Sequence, residues 1–307
     1  MTAPRVAIEP ADARFPREVA VAAVEAGGGL VVGPDDAEAL VWVDHAGPKG
    51  LNRLLHEYPN IRWVQLPWAG VEPYIGVIDD ERTWTAGQGV YAGPVAELAL
   101  TLLLAGLRGL PGYARASRWS GPRGRNLLGA RVAVLGGGGI ARSFLRLVGP
   151  FGADVTVVRR RPEPMAAAAR VVGPDELDDA IDGAEGVIVA LALTADTEGL
   201  LDRHRLERMA GHGWLVNVAR GRHVVTEDLV AVLRAGAIGG AGLDVTDPEP
   251  LPADHPLWTL PNCIITPHVG NTLDMARPLL SARIAENVRH WAAGEPLVGR
   301  VDPDLGY

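Results

Sequence analysis

The 307-residue sequence holds a single cysteine, Cys263, and a single lysine, Lys49; arginine takes every other basic position. A lone cysteine excludes a disulfide framework and a cysteine-based metal site, and it fits a reducing compartment. The scarcity of lysine excludes more. A P-loop needs Gly-Lys-Ser/Thr, a Schiff-base enzyme needs a buried lysine, and a short-chain dehydrogenase needs Tyr-x-x-x-Lys. None of these is present. No apolar run is long enough to span a bilayer, and the opening MTAPRVAIEP lacks an apolar signal core, so a cytoplasmic protein without membrane contact is expected. The formal net charge of −8 argues against nucleic acid as the main partner. His45, His56, His204, His212, His223, His255 and His290 stand without metal-ligand spacing and read as surface or packing residues; no metal is expected.

Against these absences one stretch is rich in signal, Arg131–Arg161, RVAVLGGGGIARSFLRLVGPFGADVTVVRRR. Arg131–Leu135 reads as a strand that runs into Gly136-Gly137-Gly138-Gly139-Ile140-Ala141, a match to G-x-G-x-x-G/A. Phe144, Leu145, Leu147 and Val148 then keep helical spacing, Gly152 closes the helix, and Asp154–Val158 is a second strand. The chemistry asks for this layout. Gly136 permits the tight turn, Gly138 lets backbone approach a pyrophosphate, and a small residue at 141 lets helix and strand pack. The helix N-terminus offers N–H groups and partial positive charge to the anion. At the end of the second strand an NAD-preferring site places a carboxylate for the ribose 2′-hydroxyl. Here that place holds Arg159, followed by Arg160 and Arg161. A guanidinium binds a 2′-phosphate that a carboxylate repels, so NADP(H) is the expected cofactor and NAD(H) the alternative.

The chain is long enough for two domains. Residues 1–93 alternate short strands (Val6–Ile8, Leu40–Val43, Ile61–Leu66) with helical stretches near 16–26 and 50–58. The segment Leu66–Pro73, with Ala69, Gly70 and Val71, follows a strand; by spacing alone it reads as a plain loop or as one that offers backbone N–H groups to a carboxylate. An apolar helix is predicted from Pro94 to about Arg108 with Pro111 ending it, then a polar linker over Ser117–Asn126. Beyond the central stretch, apolar runs at Val187–Leu193, Trp214–Ala219, Gly240–Val245 and Cys263–Thr266 suit a parallel sheet covered by helices. A helix is expected from Thr226, ended by Gly236 or Gly239, and an amphipathic one from Thr272 to Ala293.

Ligands of such sheets bind off the carboxyl ends of the strands. Standing there are Thr194, Arg220, Asp244, Glu249 and His268. One guanidinium, one carboxylate and one imidazole are what hydride reduction of a 2-keto acid requires. Arg220 would hold the substrate carboxylate and polarise the carbonyl, His268 would give the proton, and Glu249 would orient the ring and favour its charged form.

With these residues in place the chain resembles the D-isomer-specific 2-hydroxyacid dehydrogenases. The resemblance rests on AGVE (69–72), PVAEL (94–98), LLGARVAVLGGGGIA (127–141), LALTADTEGLL (191–201), NVARG (217–221), GLDVTDPEPLP (242–252), TPHVGNT (266–272) and the closing GY. Glu249 follows Arg220 by 29 residues, as the family pattern has it, and a glutamate there argues against the formate dehydrogenase branch. Carried over, Arg220, Glu249 and His268 are catalytic, and Arg220 and His268 also bind substrate. Ala69, Gly70 and Val71 meet the substrate carboxylate. Gly136, Gly138, Gly139, Ile140, Arg159, Arg160, Leu193, Thr194, Val218, Ala219, Asp244 and Gly270 bind the cofactor, with Asp244 on the nicotinamide amide. Ala141 and Arg159 depart from the usual glycine and aspartate.

The resemblance further implies two Rossmann-like α/β domains built on doubly wound parallel sheets. A cofactor domain, 94–270, is inserted into a discontinuous substrate domain, 1–93 plus 271–307, and the cleft between them closes for hydride transfer. A homodimer through the cofactor domain and the helix at 94–108 is implied as well. ALVW at 39–42 and the ending GRVDPDLGY are similar to the glyoxylate/hydroxypyruvate reductase branch, which makes a small 2-keto or D-2-hydroxy acid the expected substrate. The family also contains dinucleotide-binding transcriptional co-repressors and phosphoglycerate dehydrogenases, the two alternatives.

Overall fold

The computed structural model describes residues 2–11, 13, 15–43 and 48–302; His45 and the closing GY fall outside them. The chain opens with β1 (Arg5–Glu9), α1 (Arg17–Ala26), β2 (Leu30–Val31), β3 (Ala39–Trp42), α2 (Lys49–Glu57), β4 (Trp63–Gln65) and β5 (Thr83–Thr85). It continues with α3 (Ala92–Leu107), α4 (Leu110–Ala114), β6 (Arg131–Leu135), α5 (Gly139–Val148), β7 (Asp154–Val158), β8 (Arg170–Val172), α6 (Leu177–Ile181) and β9 (Gly186–Val189). Then come α7 (Arg203–Arg208), β10 (Trp214–Asn217), α8 (Thr226–Ala235), β11 (Gly240–Leu243), β12 (Cys263–Ile265) and α9 (Leu273–Ala293). Two compact units result, residues 1–91 with 272–307, and residues 92–271.

In the first unit five parallel strands run in the order β2-β1-β3-β4-β5. The C-terminal helix α9 belongs here because it lies on α1 and buries Leu280, Ile284 and Val288 with Val6, Ile8 and Val24. A buried polar relay adds direction to that packing. Trp63 Nε1 donates to Thr85 Oγ1 at 2.8 Å, Thr85 Oγ1 donates to Gln65 Oε1 at 2.9 Å, and Asn287 Nδ2 donates to Gln65 Oε1 at 2.8 Å. Val298 N closes the chain of bonds on Asn287 Oδ1 at 2.8 Å. Buried polar groups are tolerated only when paired, so this relay fixes α9 to β4 and β5 in one register.

The second unit has seven parallel strands in the order β12-β11-β10-β9-β6-β7-β8. The chain builds outward from β6 to β7 and β8, then crosses to β9 on the other side, which makes β6/β9 the switch point of a doubly wound sheet. Helix α3 covers one face, burying Ala96, Ala99, Leu102 and Leu103 against Phe144, Val216 and Trp214. Its residues can be apolar almost all round because so much of it is covered. No helix among the described residues is long and apolar enough to cross a membrane.

Several boundaries differ from expectation. The strands at Val187, Trp214 and Gly240 end at Val189, Asn217 and Leu243. The apolar residues that follow pack as turn residues, so hydrophobicity outlasts hydrogen bonding. Leu147 is exposed, while Phe144, Leu145 and Val148 face inward. Helix α5 stops at Val148, and Gly152 closes a short 3-10 turn beyond it. Helix α3 is broken by Gly109 at φ 68°, and Pro111 stands in the first turn of α4. Gly236, in the left-handed region, ends α8. The short strands β2, β5 and β8 carry too few residues for periodicity to show.

Cys263 begins β12 and is buried in the second unit, where burial pushes its thiol up to about 12. Since the thiolate is the reactive form, a disulfide-exchange reagent at pH 8 is expected to leave Cys263 unlabelled in the native protein. One thiol per chain should react after denaturation. Fast labelling of the native protein would contradict this burial.

Candidate functional site

Because the seven strands are parallel, the turns after β6, β7, β9, β10, β11 and β12 emerge on one edge of the sheet. After β6, Gly136 adopts φ 115°, and a Cβ there would collide with the carbonyl of Ala190 beyond β9. Only glycine closes the switch point. Gly138 caps α5 without any side-chain hydrogen bond, and a Cβ on it would meet nothing within 4 Å. Gly139 begins the helix and Ile140 is half-buried behind it. An open space in front of an uncapped helix N-terminus is the cradle that a dinucleotide pyrophosphate requires, so the residues present fit the group.

Arg159 follows β7 with its backbone N on Val172 O at 3.0 Å, and exposed Arg160 comes next. After β9, Leu193 and Thr194 lie in a loop held by hydroxyls. Thr194 N donates to Thr197 Oγ1, and Thr197 Oγ1 to Ala192 O, both at 2.8 Å. Behind that loop lies His223, which reads from the sequence as a surface or packing residue with no functional signal. Its side chain is fully buried, with Nδ1 2.9 Å from Thr197 O and Nε2 3.2 Å from Leu191 O.

After β10, Asn217 accepts from Ala219 N at 3.1 Å and donates to Arg220 O at 2.8 Å, which folds the Val218–Arg220 turn and buries Val218 and Ala219. Arg220 Nη1 donates to Ala219 O at 2.8 Å. Gly221 lies so close to the Thr246–Asp247 backbone that no Cβ fits. The Arg220 turn therefore abuts the turn that leads to Glu249. Glu249 Oε1 accepts from His268 Nδ1 at 2.7 Å, with both side chains about half exposed. A carboxylate accepts only, so Nδ1 carries the proton toward Glu249, and Nε2 lies outside that pair.

His268 has φ 53°, the left-handed region that a non-glycine residue seldom occupies. Asp244 holds it there. This carboxylate is buried and accepts from Thr266 Oγ1 at 2.5 Å, Val269 N at 2.9 Å and Gly270 N at 2.8 Å. Its own backbone carbonyl accepts from His268 N at 2.8 Å. Gly270 is buried, and a Cβ there would come to 2.9 Å from Asp244 Oδ2. The family resemblance implies that Asp244 contacts the cofactor; in the fold both of its oxygens are engaged by the histidine turn. A strand-end Asp followed by Thr-Pro-His-Val-Gly on the next strand was the available signal, although the pairing of those turns is tertiary. Ala69, Gly70 and Val71 belong to the other unit. There Tyr91, whose hydroxyl donates to Pro67 O at 2.5 Å, lies with its ring tilted against Trp68 at 5.6 Å between centroids, and Gly87 N donates to Trp68 O at 2.8 Å.

A parallel sheet with a glycine turn at its switch point and an Arg, Glu and His at neighbouring strand ends defines a dinucleotide-binding α/β oxidoreductase. Comparison with known proteins narrows the class. The family model of the D-isomer specific 2-hydroxyacid dehydrogenase NAD binding domain matches residues 100–270. An uncharacterized protein of Corynebacterium melassecola is 35% identical over 256 residues, 81% of this chain and 84% of that one. Human glyoxylate reductase/hydroxypyruvate reductase is 36% identical over 220 residues, 68% of this chain and 66% of the human one. Among solved structures, a D-isomer specific 2-hydroxyacid dehydrogenase of Xanthobacter autotrophicus Py2 in complex with NADPH and MES matches with a TM-score of 0.86 at 28% identity, covering 100% of both chains. The chain belongs to the D-isomer-specific 2-hydroxyacid dehydrogenase family, oxidoreductases with a nicotinamide-dinucleotide-binding domain.

Replacing Asp244 by Asn puts an amide donor against a backbone or hydroxyl donor inside the turn. Asp244→Asn is expected to lower stability by about 1–3 kcal/mol, read as a shifted urea midpoint. An unchanged midpoint would show that the carboxylate does not hold the turn.

Proposed function

We propose that this chain reduces small 2-keto acids such as glyoxylate or hydroxypyruvate to D-2-hydroxy acids, with NADPH preferred over NADH. The observation that carries the reading is the 2.7 Å pair of His268 Nδ1 and Glu249 Oε1, set beside the Arg220 turn at the carboxyl edge of the sheet. A bound dihydronicotinamide supplies the hydride. The chain's own residues do the rest. Arg220 holds the substrate carboxylate with two parallel hydrogen bonds and draws density from the carbonyl. His268, protonated on both nitrogens, gives the Nε2 proton to the carbonyl oxygen as it gains charge and keeps its Nδ1 proton on Glu249. Glu249 stabilises the charged ring before transfer and the ring orientation after it. The residual exposure of both side chains lets water restore the proton.

Residues 94–270 serve as the cofactor domain, and 1–93 with 271–307 as the substrate domain, where the Ala69–Val71 turn is the candidate for backbone donors to a carboxylate. The human relative's name supports the substrate class, and the NADPH held by the Xanthobacter protein supports the cofactor. Leu100 and Leu104 of α3, apolar and only half-buried, support a homodimer through this domain. The cytoplasm is the proposed location.

His268→Ala is expected to reduce the rate of glyoxylate-dependent NADPH oxidation by about 10²–10⁴-fold with NADPH binding retained. Background turnover by the wild-type chain on a panel of 2-keto acids, despite cofactor binding, would instead favour a co-repressor-type protein. Arg159→Asp is expected to move the ratio of kcat/KM for NADPH and NADH toward NADH by about 10–100-fold. An unchanged ratio would remove the arginine from the cofactor site.

A further inference from the structure

The Arg159 side chain is mostly covered, at 18% exposure, and lies across the glycine turn: a Cβ on Gly137 would come to 2.8 Å from both its Cδ and its Nε. Glycine at 137 thus leaves the groove in which the arginine stem rests. The head of the same side chain meets a carboxylate. Arg159 Nη2 is 3.8 Å from Glu163 Oε2, and Glu163 is 72% exposed. The loop that carries Glu163 turns tightly, with Glu163 N on Arg161 O at 2.8 Å between Pro162 and Pro164. The stem is therefore fixed by packing and the charge is balanced by a solvent-exposed partner.

We infer that Glu163 is an internal stand-in for the 2′-phosphate of the cofactor, so that a 2′-phosphorylated adenosine binds Arg159 only by displacing it. The inference rests on the NADPH reading of Arg159 and adds a second residue to it. A carboxylate and a phosphate dianion cannot share one guanidinium face, because like charges within a few ångströms repel. Glu163 lowers the net positive charge that the phosphate meets, and its ion pair must break first. An adenosine without a 2′-phosphate meets neither effect, so Glu163 sets the margin by which the two cofactors are distinguished. Being exposed and i,i+4 to its partner, Glu163 can be changed without disturbing the fold.

The test is calorimetric titration of the full chain with adenosine 2′,5′-bisphosphate and with adenosine 5′-monophosphate, which differ only in the 2′-phosphate. Glu163→Gln is expected to tighten the bisphosphate by about two- to five-fold, with the monophosphate unchanged and the gain shrinking in high salt. An unchanged bisphosphate affinity in Glu163→Gln, while Arg159→Ala weakens it, overturns the inference and leaves the NADPH reading standing. Equal tightening of the monophosphate overturns it too, since the effect would then be general charge. If Arg159→Ala leaves bisphosphate affinity unchanged, the NADPH reading itself fails and the inference with it.

Discussion

The parallel register of the seven-stranded sheet is the constraint on which the second unit depends. Each strand from β6 to β12 runs the same way, so each returns by a crossover, and the turns that leave the carboxyl ends collect on one edge. No local feature of NVARG, DVTDPEP or TPHVG brings them together. They meet because Asn217 O accepts from Asp244 N at 3.0 Å and Leu243 O accepts from Thr266 N at 2.9 Å, the last rungs of the ladder joining β10, β11 and β12. A slip of one residue in either pairing would turn Asp244 away from the histidine turn.

Along that edge, covered groups position and exposed ones remain available for chemistry. Asp244, Asn217 and His223 are buried, and their side chains hold turns: Asp244 the one that carries His268, Asn217 the one that carries Arg220, His223 the loop with Thr194. Glu249 and His268 are half exposed and bonded to each other. The division has a physical basis. A buried carboxylate needs its hydrogen-bond acceptors filled from fixed donors, and doing so makes those donors rigid. The pair proposed to move the proton, His268 with Glu249, has to reach solvent and substrate.

The first unit shows the same economy of polar groups for a different end. Trp63, Gln65, Thr85 and Asn287 form one relay that joins residues more than two hundred positions apart. It makes a single body out of two distant pieces of chain. Gln65 stands just before the Leu66–Val71 segment, so the relay also fixes where that segment starts.

Much of the site was legible in the residues themselves. The glycine hexad, the β-α-β unit around it and the identity of Arg220, Glu249 and His268 follow from local pattern, since each sits at a strand end marked by an apolar run. The strand order at the switch point, the short strands β2, β5 and β8, and the early ends of β9, β10 and β11 did not, because sheet membership depends on partners and not on hydropathy. The bonds of Asp244 are the clearest case: the family resemblance implies a cofactor contact there, and the carboxylate also clamps the turn that carries His268, through donors more than twenty residues away. The sequence by itself determined which chemical groups the chain carries and that a dinucleotide turn is among them, because turn chemistry and strand-end spacing act over a few residues. Only the tertiary structure decided which of those groups touch, because hydrogen bonds between Asp244 and the 266–270 turn, or between Glu249 and His268, exist only once the strands have paired.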